Sequence, residues 1–315
     1  MWKQFRRWLE LAGLAAAYAV ARWLPWSALR LLGCASGEIF YLLDSRSRRV
    51  ALANLRLAFP GWSESQRLSV ARGCFRSMAL NATEILSAHR LHRESDESFF
   101  TFDKKQVDRF LELQKSGRGV VAAMVHIGNW EWLGLAWALK GIIGDAVVQQ
   151  IKNRKVDSFI RKKREQLGHR MLAAEQGARP VFRSLKEGRV VGMLIDLNMP
   201  RERGGDWLQF FGRPVLSTLA APMLARRTGA ALVVTYSIRQ PDGRYHIFFH
   251  ELENAGFKTD AALAQEILNI AEAAIRENPD QWIWMYKRWK FRPKGSNADE
   301  FPFYSYEVPL PERNS

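Results

Sequence analysis

The spacing of apolar residues differs between the two ends of the chain. The first hundred residues place apolar positions at helical spacing, whereas from about residue 117 short apolar runs alternate with helical patterns. The runs are 120–125, 146–148, 190–195 and 230–236, and the helical patterns between them are 130–139, 156–167, 180–186 and 219–227. Short buried strands that alternate with helices predict an α/β fold with a largely parallel sheet. Asp242-Gly243 predicts a hairpin turn in a final antiparallel pair, followed by a helix at about 260–277.

Residues 1–43 carry two apolar segments, which Arg22 and Arg30 interrupt. The first, residues 11–21, is about half of the roughly 20 residues that a simple spanning helix needs. We therefore predict membrane-associated helices that insert partly or lie along the interface, with a cytoplasmic N-terminus because basic residues come first. The tryptophans expected at headgroup depth are Trp2, Trp8, Trp23 and Trp26. A soluble helical hairpin packed on the body is the alternative.

Four stretches of the chain are predicted, with no second independent domain. After the membrane-associated segment 1–43, a helical region at 44–100 packs on the core, and its Ser63-Glu64-Ser65-Gln66 has the form of a capping box. Residues 101–295 form the α/β core, and residues 296–315 an irregular tail.

The charge balance points to an anionic partner. There are 47 Lys and Arg against 32 Asp and Glu, a formal charge of +15. The candidates are nucleic acid, an anionic membrane surface, and an acidic carrier or phosphorylated substrate. Twelve tryptophans favour the membrane, and the sequence has no zinc-finger, basic-zipper or RNP-type motif, so no nucleic-acid partner is expected. Cys34 and Cys74 form no disulfide framework or metal site and are expected to be buried thiols.

The stretch "VHIGNWEW", residues 125–132, places His126 directly after a predicted strand. In α/β sheets the chemistry collects where strands end. Gly128 allows backbone or ligand to approach closely. Asn129 is a good N-cap, so a helix is predicted to begin at the next residue with Glu131 in its first turn.

A His126–Glu131 pair has a clear chemical use. Across a strand–turn–helix junction the carboxylate can turn back towards the imidazole, although this spacing would not align the two side chains on one helix. Glu131 would then fix the ring tautomer and leave the other nitrogen to take a proton from a hydroxyl, which suits acyl transfer to an alcohol. A structural His–Glu pair has the same spacing.

Other catalytic patterns are missing from the sequence. There is no G-x-S-x-G elbow and no H-E-x-x-H or similar metal spacing. His246 and His250 share a face of a predicted strand but have no third ligand nearby in the sequence, so they are expected to flank the sheet. No metal is predicted.

Basic and acidic side chains outside this motif supply further candidates. Arg161, Lys162, Lys163 and Arg164 lie on one predicted helix and offer donors to phosphate or to an acidic carrier protein. A solvated face is the alternative for at least two of them. Asp196 ends the predicted strand 190–195 and is expected either to position substrate or a basic side chain, or to be a buried structural carboxylate.

The segment "QWIWMYKRWKFRP" has aromatic residues at period two. Trp282, Trp284 and Tyr286 alternate, and Lys287, Arg288, Lys290 and Arg292 follow. This pattern predicts an aromatic strand with a cationic end, either at an interface with anionic lipid or as a core strand with a solvated end.

The H-x4-E motif resembles the H-x4-[DE] motif of the lysophospholipid acyltransferase superfamily. More narrowly, the chain resembles the bacterial lipid A biosynthesis (late) acyltransferases over most of its length. Six blocks carry the resemblance in the order of that family, with Glu84 after the first. They are "RRVALANLRLAFPGWSESQR", "VHIGNWEWLG", "KNRKVDSFIRKKREQLG", "FRSLKEGRVVGMLID", "FFGRPVLSTLAAPMLARRTGAALV" and "NPDQWIWMYKRWKFRP".

The resemblance implies a glycerol-3-phosphate-acyltransferase-like mixed sheet and an enzyme of the bacterial inner membrane that acts at the cytoplasmic face. It would move an acyl chain from acyl-carrier protein or acyl-CoA to a hydroxyl of a (glyco)lipid such as a lipid A precursor. Neither a cofactor nor a covalent intermediate would be needed. His126 would be the general base and Glu131 its orienting carboxylate. Asn129, Arg164 and Asp196 would bind substrate.

The chain departs from the family pattern at three places. Tyr286 stands where members often carry histidine, Gln149-Gln150 where they often show Arg-Pro, and "DLN" at 196–198 where Asp-x-Asp or Asp-Gln is usual. Because these positions fall on elements expected to bind the acceptor, a different phospholipid or aminolipid acceptor stays open. Two other functions stay open as well: hydrolysis of a thioester or lipid ester by the same His–Glu pair, and a binding protein without catalysis.

Overall fold

A computed structural model describes residues 2–91, 96–253 and 259–308 of the chain. The N-terminal part is helical. Its four helices are α1 (Trp2–Trp23), α2 (Trp26–Leu43), α3 (Ser45–Ala58) and α4 (Glu64–Leu86). The predicted capping box at the start of α4 is confirmed, because Ser63 accepts from the Gln66 backbone while the Gln66 side chain accepts from the Ser63 backbone. Within the described residues, no helix has both the length and the apolar content needed to cross a membrane.

Strands and helices alternate in the second part. They are α5 (Asp96–Phe99), β1 (Phe100–Phe102), α6 (Lys104–Lys115), β2 (Val120–Met124), α7 (Trp130–Leu139), β3 (Gly144–Val148), α8 (Arg154–Glu165), β4 (Arg170–Ala173), α9 (Ala178–Lys186), β5 (Val190–Leu194), β6 (Gly205–Phe210), β7 (Arg213–Thr218), α10 (Ala220–Thr228), β8 (Ala231–Arg239), β9 (Tyr245–Leu252), α11 (Asp260–Glu277), β10 (Phe291–Pro293) and β11 (Tyr306–Val308).

The central sheet has the order β1-β9-β8-β2-β5-β3-β4 in the described part of the chain. Only the β8–β9 pair is antiparallel among these neighbours, and it is joined by the predicted turn at Asp242-Gly243. The prediction of a mixed α/β fold with a largely parallel sheet is therefore confirmed. A separate hairpin is formed by β6 and β7. Within the stretch predicted to be an irregular tail, β11 pairs with β10, and residues 309–315 lie outside the described residues.

Both faces of the central strands are buried, as their continuous apolar runs require. Val121 and Val191 contribute to one apolar core, which also contains residues from α3, α10 and α11. Val120, Ala122 and Val190 contribute to a second core under α6 and α7. The sheet consequently separates two cores. The carboxyl ends of its parallel strands lie between these cores.

The predicted aromatic strand at Trp282 to Tyr286 was wrong. This segment makes turns, in which the backbone N–H of Trp284 donates to the carbonyl of Trp282 and that of Tyr286 to the carbonyl of Ile283. The Asn54 side-chain amide donates to the carbonyls of Trp284 and Tyr286 at 2.7 and 2.8 Å. Trp282 and Trp284 are fully buried. Of the two environments considered for these tryptophans, the core is the one observed.

Candidate active site

The sheet register brings His126 next to Asp196. Met124 of β2 pairs with Leu194 of β5 in parallel, so the two strands end at the same level. Two residues beyond each strand end, Nδ1 of His126 lies 2.7 Å from Oδ1 of Asp196. The backbone N–H of His126 donates to Oδ2 of Asp196 at 3.0 Å. Both side chains are buried.

The carboxylate of Asp196 is held in its ionised form. Burial alone would raise the pKa of Asp196, but the charge of His126 and hydrogen bonds from His126 and Trp282 outweigh it and lower that pKa below its usual value. The indole N–H of Trp282 donates to Oδ2 at 2.8 Å. Because an ionised carboxylate only accepts hydrogen bonds, Nδ1 of His126 is the donor in this bond, and in the neutral form of the ring the lone pair is then on Nε2.

The expectation that Glu131 orients His126 is corrected by this geometry. Arg164 of α8 engages the Glu131 carboxylate with two bonds, from Nε at 2.8 Å and from Nη2 at 2.6 Å. Asp196 makes the contact to Nδ1 instead. The ring of His126 meets Trp130 edge-on, with 4.9 Å between the ring centroids. The first turn of α7 thus places the indole of Trp130 against the imidazole of His126. The Glu131 carboxylate in the same turn is paired with Arg164 of α8.

Gly128 fixes the path of the chain between His126 and α7. Its φ is 60°, in the left-handed region, and a Cβ there would lie 1.8 Å from the carbonyl oxygen of Ser237. Asn81 donates to the Gly128 carbonyl at 2.6 Å, and the Gly128 N–H donates to the carbonyl of Gln281 at 3.1 Å. Only glycine fits this conformation and this approach, so the loop that presents His126 is held on both sides.

Asn129 caps α7, as predicted. Its side-chain oxygen accepts from the backbone N–H of Trp132 at 3.0 Å. Its amide donates to Glu84 of α4 at 2.6 Å, and the side chain is fully buried. With both polar groups engaged inside the protein, the geometry gives Asn129 a structural role in place of the expected substrate contact. Glu84 also accepts from the hydroxyl of Tyr245 at 2.6 Å.

A buried network beneath Asp196 was not anticipated from the sequence. Arg288 is fully buried and donates to Asn198 Oδ1 at 3.0 Å and to the Leu216 carbonyl at 3.2 Å. Burial lowers the pKa of Arg288 to about 10. The Tyr286 hydroxyl accepts from the Asn198 backbone N–H at 3.0 Å. Two of the departures from the family pattern, Tyr286 and Asn198, therefore belong to one structural network. The expectation of a solvated cationic end is wrong at Arg288.

An apolar cavity with about 820 Å³ of empty space, part of it open to solvent, lies between α7 and the sheet. Glu131, Arg164 and Trp130 line it where the strands end, and Trp130 also contacts the ring of His126. Phe110, Ile142 and Val190 line it at the other end of the strands. The middle is lined by small and apolar residues, and we name this space the α7 cavity. An elongated apolar ligand would fit along the strands with its polar end near His126.

The basic residues of α8 have separate contacts. Arg161 pairs with Glu165 at 3.2 Å, and Lys163 donates to the hydroxyl of Tyr18 at 3.1 Å, which lowers the pKa of Tyr18. Lys162 is exposed. Of the four, Arg164 is the one that lines the α7 cavity. Its paired position with Glu131 leaves Nη1 without a hydrogen-bond partner among the described residues.

The remaining histidines of the predicted strand have local partners. His246 Nδ1 lies 2.9 Å from the hydroxyl of Thr101, and His250 Nε2 lies 3.3 Å from the hydroxyl of Tyr236. The part of the chain that the structure describes contains no group of three or more His, Cys, Asp or Glu that could hold a metal ion. Chemistry without a metal stays a prediction.

Comparison with known proteins assigns a family. The model of the family described as "Bacterial lipid A biosynthesis acyltransferase" matches residues 2–291. The chain belongs to this family.

Two relatives match this acyltransferase over most of its length and a third matches part of it, and their names give different reactions. It is 25% identical over 295 residues to "Lipid A biosynthesis palmitoleoyltransferase" of Escherichia coli (strain K12), covering 93% of this chain and 94% of the relative. The match to "Lipid A biosynthesis lauroyltransferase" of the same organism is 24% over 298 residues, covering 92% and 94%. "Phosphatidylinositol mannoside acyltransferase" of Mycolicibacterium smegmatis is 27% identical over 190 residues, covering 59% and 62%. Acyl transfer to lipids is common to these names, and the chain is an acyltransferase.

Proposed function

We propose that this acyltransferase moves a fatty acyl chain from acyl-carrier protein or acyl-CoA to a hydroxyl of a (glyco)lipid, with His126 as the general base. The bond between His126 Nδ1 and Asp196 Oδ1 carries the proposal, because it fixes the tautomer that leaves Nε2 able to accept a proton. The α7 cavity beside this pair supports an acyl substrate. The mixed sheet agrees with the glycerol-3-phosphate-acyltransferase-like fold that we infer for the family.

The reaction needs one proton transfer in each direction. The acceptor oxygen bonds to the thioester carbonyl carbon while its proton passes to His126 Nε2, and the carbonyl oxygen becomes an oxyanion. Asp196 stabilises the imidazolium formed at this stage. When the oxyanion collapses, the carbon–sulfur bond breaks, and the leaving thiolate takes the proton from Nε2. The products are the ester and the free thiol, with no covalent bond to the protein and no cofactor.

Arg164 is proposed to bind an anionic group of the substrates at the mouth of the α7 cavity. Glu131 holds two of its donors, so the guanidinium is oriented before substrate arrives, and Nη1 is left for a phosphate or the oxyanion. Glu131 is therefore a positioning residue for Arg164, which replaces the role first expected for it.

Replacing Arg164 by alanine is expected to raise KM for the donor or acceptor by about 10-fold to 100-fold, the value of one charge-assisted hydrogen bond. Steady-state kinetics with each substrate varied in turn would show which one is bound. The double variant Arg164→Ala with Glu131→Ala controls for the unpaired carboxylate. If the double variant recovers the parental KM, the arginine serves only to neutralise Glu131 and the proposed binding role fails.

The acceptor class is proposed from the relatives. A lipid A precursor is favoured because the family and its full-length relatives are named for lipid A biosynthesis. A different phospholipid or aminolipid is the second candidate, since the match to the phosphatidylinositol mannoside acyltransferase covers 59% of the chain. Lipid mass spectrometry of cells with the gene, without it, and with its His126→Ala variant would identify the acceptor. Free fatty acid without any acylated lipid would instead indicate hydrolysis and overturn the proposed transfer.

We also propose that the enzyme works on the cytoplasmic face of the bacterial inner membrane, with α1 and α2 along the interface. Both helices expose large apolar side chains, among them Trp23 at 83% and Leu43 at 77%. Trp8 is exposed as well, whereas the side chain of Trp2 lies outside the described residues. Trp26 does not agree with a position at headgroup depth, because it stacks on Trp132 at 5.3 Å between ring centroids.

Serine at both Trp23 and Leu43 is expected to weaken binding to vesicles of phosphatidylglycerol and phosphatidylethanolamine by at least about tenfold. Burying one large apolar side chain is worth about 1.5–3 kcal/mol, so the loss of two has a large effect. Co-sedimentation with vesicles would measure it. Phe303→Ser is the matched control, because Phe303 is 62% exposed but lies outside these helices. Equal losses for the control and the double variant would contradict the assignment of the interface to α1 and α2.

A further inference from the structure

The α7 cavity follows the strands, and its direction is given by the register. Val190, Gly192 and Leu194 of β5 all line it, as do Gly144, Ala146 and Val148 of β3 and Ala122 and Met124 of β2. Most of the strand residues in the lining are alternate residues of neighbouring strands, which point to one face of a sheet, and Asp145, Val147 and Met193 line it as well. The cavity therefore extends from the strand ends near His126 towards the strand beginnings. On β5 it runs from Leu194 to Val190.

The cross-section of the cavity varies along this direction. At its middle, Gly192 pairs with Ala122 on one side and with Ala146 on the other, so three adjacent strands present small residues at one level. Gly134 of α7 also lines the cavity. Val190 lies two residues before Gly192 in β5. At that position the lining also includes the buried side chains of Phe110 and Ile142. The cavity is lined by small residues at its middle and by bulky side chains at its far end.

Glycine at position 192 is not required by the backbone. Its φ lies outside the left-handed region, and a Cβ there would meet the Met124 sulfur at 3.0 Å, the flexible end of a side chain that can shift. Glycine inside a strand costs about 0.5–1 kcal/mol relative to alanine. The residue therefore destabilises the strand without a conformational need, and what it provides is room at the middle of the cavity, beside the Met124 sulfur.

We propose that Gly192 and Val190 determine the length of the acyl chain that this enzyme transfers: Gly192 admits the chain past the middle of the α7 cavity, and Val190 stops its methyl end. The inference rests on the proposed function and deepens it. It makes the depth of the cavity, rather than the contacts at His126, the source of discrimination between donors.

The register gives an expected length. Four strand steps from the level of Leu194 to that of Val190 cover about 13 Å at about 3.3 Å per residue. Two further steps separate Leu194 from the level of Asp196 and His126, which gives about 20 Å in all. An extended chain advances roughly 1.3 Å per methylene, from a carbon–carbon bond of about 1.5 Å. The cavity thus suits chains of about fifteen carbons, in the myristoyl to palmitoyl range.

Chain-length profiles of three variants test the inference. The donors are octanoyl, decanoyl, lauroyl, myristoyl, palmitoyl and stearoyl thioesters of acyl-carrier protein, supplied as an equimolar mixture. Membranes of a strain that lacks the protein provide the acceptor, and product masses are read by mass spectrometry. For the parental protein we expect myristoyl and palmitoyl products. For Gly192→Val the optimum should fall by about five carbons, because the side chain blocks the cavity about 7 Å before Val190.

Gly192→Ala and Val190→Ala are the graded and opposite controls. Alanine at 192 should give a smaller shift in the same direction, and alanine at 190 should extend the optimum by one or two carbons. Thermal melting confirms that each variant is folded. A folded, active Gly192→Val with the parental profile would overturn the inference while leaving acyl transfer intact. Absence of any acylated product with the parental protein would instead contradict the proposed function.

Discussion

Replacing His126 by alanine is expected to lower kcat by about a hundredfold to ten-thousandfold, the usual contribution of a positioned general base. His126 is the group whose Nε2 is free to take the acceptor proton, since Nδ1 is bound to Asp196. The variant removes this acceptor and leaves Arg164 and the α7 cavity in place. KM for both substrates should change little. Acyl transfer to the lipid acceptor, followed by product mass spectrometry, measures the effect.

His250→Ala is the matched control for this prediction. His250 lies in β9 and its ring contacts Tyr236, so its loss removes an imidazole without touching the site. Circular dichroism and melting temperature of both variants show whether the fold is retained. If folded His126→Ala keeps parental kcat, His126 is not the base and the proposed mechanism is wrong.

Replacing Asp196 by asparagine is expected to lower kcat by about a hundredfold to ten-thousandfold, and by no more than His126→Ala, because Asp196 acts through the imidazole. Asparagine has the same shape but cannot accept at both positions that Asp196 occupies, where His126 Nδ1, the His126 backbone N–H and the Trp282 indole converge. The imidazole then loses its fixed tautomer and the charge that stabilises the imidazolium. Steady-state kinetics across pH would measure the effect.

Glu131→Gln provides the comparison that separates the two carboxylates. Because Glu131 holds Arg164 rather than His126, this variant should raise KM more than it lowers kcat. A larger loss of kcat in Glu131→Gln than in Asp196→Asn would restore Glu131 as the orienting residue and contradict the geometry.

The difference in stability between the parental protein and Asp196→Asn should also depend on pH. The pKa of Asp196 in the folded protein lies below its usual value, which is about 3.9 in an unfolded chain. The ionised carboxylate therefore stabilises the fold above that pH, and this contribution is lost as the pH falls through the folded pKa. The difference in melting temperature between the parental protein and Asp196→Asn should be largest near pH 7 and shrink below about pH 4.

Residues close together in the sequence were largely predictable. The strand before His126, the N-cap at Asn129 and the helix that begins at Trp130 follow from local patterns, and α7 ends at Leu139 as expected. The β8–β9 turn and α11 follow from the same kind of signal. The short strands β4, β6 and β7 were not predicted, because few residues of each alternate clearly and their pairing comes from distant partners.

The aromatic segment near the end of the chain shows the limit of periodicity. Alternating tryptophans predict a strand, yet hydrogen bonds from Asn54, more than two hundred residues earlier, hold Trp284 and Tyr286 in turns. Arg288 looks like part of a solvated cationic end, but it is buried where it can donate to Asn198 and Leu216. Neither contact has a signal in the local sequence.

The sequence by itself determined the α/β class, the strand end that presents His126, and the family to which the blocks point, because these depend on short-range periodicity, capping and motif order. Only the tertiary structure decided which carboxylate meets the imidazole. Glu131 lies five residues from His126 but bonds to Arg164, whereas Asp196 lies 70 residues away and bonds to His126. Parallel pairing of β2 with β5 is the physical reason, since it brings two distant strand ends to one edge. The depth of the α7 cavity depends on the same register and was equally invisible in the linear chain.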